Sequence, residues 1–153
     1  MANFWFTGAS GRGVRYCDLA LGTDRLVIVL LQSASLQADA TLRNYTSLSS
    51  LLAGGSLEAT FTNYARKVIT SGITVTPDTT NHKNTVSIAN VSWLAAGGAT
   101  NNTLAKFLIC YQATSGATDA QTVPLFNCDV SATTNGQDYN VTISSGIAVA
   151  TAS

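Results

Sequence analysis

The sequence predicts an all-β fold: an antiparallel β-sandwich, or a jelly-roll-like barrel, with one short helix and an extended N-terminal arm. Three observations lead there. Short runs rich in apolar and β-branched residues recur along the chain, each the length of a strand. Gly, Asn, Asp, Ser and Pro gather between them, and these are the residue types that turns require. The runs follow one another without the intervening helices that an α/β fold would need.

The first element is the arm, residues 1–22, which holds Gly8, Gly11, Gly13 and Gly22 but little periodicity. Its Phe4-Trp5-Phe6 cluster is too apolar for a free tail, so the arm is expected to dock on its own domain or on a neighbouring subunit. Residues 23–153 then form a single β-rich domain, expected to stay folded when residues 1–22 are removed. Arg25–Gln32 (RLVIVLLQ) is almost continuously apolar, the pattern of a central strand buried on both faces. After a polar connection, residues 46–53 suggest a short helix, capped by Thr46 or Ser47 and stopped by Gly54-Gly55.

From Glu58 onward the pattern is β. Residues 66–70 and 73–76 read as strands about Ser71-Gly72, and residues 77–81 read as a turn. Residues 85–92 alternate as one strand, with Trp93 at its end expected in the core. A Gly-rich loop at 95–102 leads to a second buried strand, residues 104–111 (LAKFLICY). Small residues make 113–120 a loop. Residues 123–130, 139–143 and 147–150 complete the set, with Asn135-Gly136 as a turn signal between the first two.

The 153 residues suffice for one domain with a real core. Hydrophobic residues make up 46% and charged residues 10%, far below the ~25% of ordinary soluble domains. Hydroxyls, amides and small side chains fill the difference. Such a surface carries little self-repulsion and loses little when a neighbour covers it. Eight cations balance eight acids. Without a basic footprint, no nucleic-acid partner is expected. The longest apolar run is far shorter than the ~20 residues of a membrane span, and the first residues lack the basic-then-apolar order of a signal peptide. No membrane partner is expected either. Cys17, Cys110 and Cys128 show neither a paired count nor CxxC spacing, so they are read as small hydrophobes in a reducing compartment.

No catalytic, cofactor-binding or metal-ligating set emerges, and no enzyme activity or cofactor is expected. The one histidine, His82, sits in a turn sequence, a poor place to hold an imidazole in one tautomer. The acids fall mostly in loops, where Asp serves the backbone, and nothing pairs Glu58 with Asp129. Gly8-Ala9-Ser10-Gly11-Arg12-Gly13 lacks the GK[ST] ending of a phosphate loop.

Several segments, taken in order, carry a family resemblance. They are TDRLVIVLLQSA (residues 23–34), EATFTNYARKVIT (58–70), ITVTPDTTNHKNTVSIANVSW (73–93), NNTLAKFLICYQ (101–112) and TDAQTVPLFNCDV (118–130). Asn63-Tyr64-Ala65-Arg66 stands where the family carries Gly/Asn-Tyr-x-Arg, and Pro124-Leu125 matches its x-x-Pro-Leu strand. Over residues 23–150 the chain resembles small structural proteins of tailed-bacteriophage virions, of the capsid decoration or cement type.

The resemblance implies a structural protein made in the bacterial cytoplasm and carried on the capsid surface. Its partners would be the major capsid protein and copies of itself, as a homotrimer at a local threefold axis. A head–tail adaptor or tail component is the alternative, and a carbohydrate-binding β-domain a third reading. The arm lies outside the resemblance. From its residues alone, Phe4, Trp5 and Phe6, flanked by Arg12 and Arg15, are the expected interface anchors.

Overall fold

A computed structural model describes residues 3–9, 13–80, 83–143 and 147–151. The fold is all-β and sandwich-like, with antiparallel sheets. The main sheet has five strands: β1 (Phe4–Trp5), β2 (Arg25–Gln32), β3 (Lys67–Ile69), β7 (Thr103–Gln112) and β8 (Val123–Thr133), in the order β1-β8-β7-β2-β3. A second sheet joins β4 (Thr74–Asp78), β5 (Lys83–Ser87) and β10 (Ile147–Thr151), with β5 central. β6 (Val91–Ala96) and β9 (Gln137–Val141) make a third. The helices are short: α1 (Gly13–Cys17), α2 (Asp39–Leu42) and α3 (Leu48–Ala53).

β2 and β7 are the centre, as their apolar runs predict. Leu26 to Leu31 are all buried, and so are Leu104 to Tyr111. Each fully buried Leu, Ile or Val contributes about 1.5–3 kcal/mol relative to exposure, so this strand pair dominates the core. Residues opposed in register share a face. Leu31, Val29 and Val27 therefore lie with Lys106, Leu108 and Cys110, and α2 covers this face through an ion pair from Asp39 to Lys106. Ile28 and Leu26 lie with Ile109 and Tyr111 on the other face. There Tyr111 meets Tyr16 of α1, and Lys67, opposite Ile28, reaches the ring of Trp93 on β6.

α3 follows its sequence signals. Ser47 caps it, its hydroxyl accepting from Ser50 N at 3.2 Å. Gly54 ends it, packed so closely against the Tyr45 phenol that no Cβ would fit. α2 lies inside the expected polar connection. Its Asp39 suits the first turn of a helix, but Ala38 before it offers no side-chain cap, so the sequence carries no start signal.

The arm docks on its own domain, the first of the two placements expected for it. β1 pairs with β8 (Phe4 with Asn127, Trp5 with Phe126) and completes the main sheet, because its aromatics have apolar surface to cover there. One expectation is corrected: the alternating run at 85–92 is not one strand but is split between two sheets, β5 on one side of residues 88–90 and β6 on the other. Its period is that of a strand throughout, and period alone does not mark a change of sheet. The Asn135-Gly136 turn forms between β8 and β9 as expected, with both N–H groups donating to Ala96 O (3.1 and 2.8 Å) and Gly136 at φ +91°. It leads β8 not into its neighbour but across to β6, where Tyr139 pairs with Trp93.

Candidate functional site

Charged side chains distant in the chain gather in two ionic clusters. The first is built around Arg66, just before β3. Its Nε and Nη2 donate to Glu58 Oε1 and Oε2 at 2.7 and 2.6 Å. Its Nη1 and Nη2 donate to Asp119 Oδ1 and Oδ2 at 2.5 and 3.0 Å. Both carboxylates therefore meet the guanidinium in the two-pronged geometry that its planar donors favour. Tyr64 Oη donates to Glu58 Oε1 at 2.8 Å and accepts from Leu30 N at 3.2 Å. Trp93 Nε1 donates to Ala65 O at 2.8 Å, with its ring stacked 5.8 Å from Tyr139. Hydrogen bonds from Arg66 hold the Asp119 carboxyl below its ordinary range. Burial, then the Glu58 charge, pushes the Tyr64 phenol up, so it remains a donor.

The second cluster is built around Lys106 of β7, whose side chain is inaccessible to solvent. Its ammonium is paired with Asp39 of α2 at 2.6 Å and with Asp129 of β8. It also lies 5.7 Å from the Phe4 ring centre, and Arg43 lies 5.0 Å from the same ring. Phe4 is thus held near two cations at cation–π distance. Asn3 fastens the strand further, its Oδ1 accepting from Asp129 N at 2.8 Å. The sequence held one clue, a lysine within an apolar strand run, but the acids that would pair with it lie far off in the chain.

The expected anchor residues fall into three groups. Phe6 is wholly buried and Phe4 nearly so, their rings 5.5 Å apart, and Phe6 N donates to Leu125 O at 3.0 Å. As folded, both serve this chain's own core rather than a partner, because β8 and Lys106 offer them nearer surface. Trp5 is half-buried against Phe126, with ring centres 5.0 Å apart, and keeps an outward share. Arg15 is exposed on α1. Arg12 and His82 lie outside the described residues. Cys17 and Cys110 are buried and Cys128 half-buried, all as free thiols. Burial pushes the first two up to about 12 and the third to about 11.

No group of three or more His, Cys, Asp or Glu side chains that could hold a metal ion occurs among the described residues. No helix among them is long and apolar enough to cross a membrane. Compared with protein-family models, curated proteins and solved structures, the chain matches none.

Proposed function

We propose that this chain is a structural component of a tailed-phage virion, and specifically a decoration protein that reinforces the capsid shell. One observation carries the reading. Three of the five segments that carry the resemblance meet in space at the Arg66 cluster. Glu58, Tyr64 and Arg66 come from EATFTNYAR, and Asp119 comes from TDAQT. Trp93, which closes the long β segment, bonds to Ala65 between them. The ordered motif series therefore has a physical meaning: it encodes a clasp that ties the connection after α3 to the loop before β8. Such a clasp stiffens a body without performing a reaction, as a shell-reinforcing subunit requires.

The surface supports the same reading. A charge-poor exterior loses little when it is covered, and many small contacts repeated over a shell sum to a large stabilisation. In this reading the partner is the major capsid protein, and copies of the chain associate with one another on the shell. Quantifying the protein in purified particles tests the proposal. Hundreds of copies per particle support a shell role, whereas six or twelve would place it at the neck and refute the decoration reading.

A further inference from the structure

A cleft of about 440 Å³ opens between α1 and the ends of β2 and β7, large enough for a small ligand or one extended side chain. Arg15, Tyr16, Ala20, Leu21, Asp24 and Tyr111 line it. Asp24 is only 5% exposed. Its Oδ2 accepts from Tyr111 Oη at 3.2 Å, while its Oδ1 is buried without a hydrogen-bond partner among the described residues. Asp24 takes part in none of the ion pairs among the described residues. A buried carboxylate oxygen left unpaired is unfavourable, and a cation brought beside the carboxylate would offset that cost.

The walls say what kind of donor fits. The Tyr16 and Tyr111 rings pack with centres 4.4 Å apart, tilted by 36°, and both line the cleft with Asp24. Aromatic faces next to a desolvated anion attract organic cations. Burial, then the Asp24 charge, raises the Tyr111 phenol, so it keeps its proton and remains bonded to Oδ2. Asp24 itself lines the cleft, so a cation seated there lies beside a carboxylate that is only half hydrogen-bonded. Arg15 adds a positive charge on the exposed side, which disfavours ligands with several positive charges.

We propose that this cleft binds a single organic cation, a guanidinium or alkylammonium group, whose charge lies beside the Asp24 carboxylate while its apolar part packs on Tyr16 and Tyr111. The cation could reach the cleft on a free amine or on a basic side chain of a neighbouring protein.

The test is a titration of the isotope-labelled full chain, followed by NMR, with N-methylguanidinium, n-butylammonium and an Ala-Arg-Ala peptide amide, and with acetate as the anionic control. The expected result is saturable shifts at residues 15–24 and at Tyr111 with the cations and none with acetate. Asp24→Asn, checked as folded from the same spectra, should weaken binding by about tenfold or more, and Tyr16→Leu should weaken it as well. Tighter binding of the peptide assigns the cation to a partner protein, and tighter binding of the free probes assigns it to a small amine. Absence of saturable shifts, equal binding by Asp24→Asn, or equal binding of acetate would each overturn the proposal.

Discussion

Lys106 Nζ lies 2.6 Å from Asp39 Oδ1, joining the middle of β7 to α2 across 67 residues of chain. The lysine is wholly buried, while Asp39 and Asp129 are about one-fifth exposed. Water can therefore compensate the acids if the cation is lost, but nothing fills the space that its stem occupies. Lys106→Ala should lower unfolding free energy by about 3–5 kcal/mol. Lys106→Met, which keeps the volume, should cost clearly less. Urea unfolding of the two variants checks the order.

The N-terminal strand should behave as part of the core. Phe6→Ala should cost about 3–5 kcal/mol, and Trp5→Ala less, since Trp5 is only half-buried. Removing residues 1–6 would also leave the edge of β8 unpaired at Phe126 and Asn127. Thermal melts should show the truncated chain far less stable than the intact one. An unchanged melting temperature would restore the view of the arm as an appendage.

The Arg66 cluster should be intolerant of a change that preserves charge. Arg66→Lys keeps the cation but cannot form both two-pronged contacts. A loss of about 1–2 kcal/mol is expected, limited by the partial exposure of all three groups. The same cluster sets an acid limit. Arg66 holds Asp119 below its ordinary value of 3.8, so the stability Asp119 contributes is fully present above that value. It is lost as pH falls through the lower folded value. Asp119→Asn should flatten the fall in melting temperature below about pH 4.

The three thiols should stay silent in the folded chain. With Cys17 and Cys110 raised to about 12 and Cys128 to about 11, almost no thiolate exists at pH 8. A thiol-specific reagent should label Cys128 first and slowly, and all three at once on unfolding. In the unfolded chain these thiols ionise near 9.0, so stability should decline as pH rises from there towards about 12.

The strands were legible where burial dictated their composition. Leu26 to Leu31 cannot be solvated, and Ser47 with Gly54 marks both ends of α3. Sheet membership was not legible. Residues 85–92 keep one period while serving two sheets, and the turn at Gly136 has the same chemistry whether it closes a hairpin or carries the chain between sheets. The ionic clusters escaped for a related reason. Glu58 lies eight residues from Arg66, and Asp119 lies 53 away; at such separations only the fold decides which charges meet. The unpaired Asp24 oxygen was hidden for the same reason, because an absent partner has no signature in a sequence.

We propose that a phage shell leans on this body. Imaging purified shells that lack the protein, before and after adding it, tests that most directly. Ordered density on the outer surface, repeated with the shell's own symmetry and touching adjacent major capsid subunits, is the expected result. Shells left bare at saturating protein would contradict it.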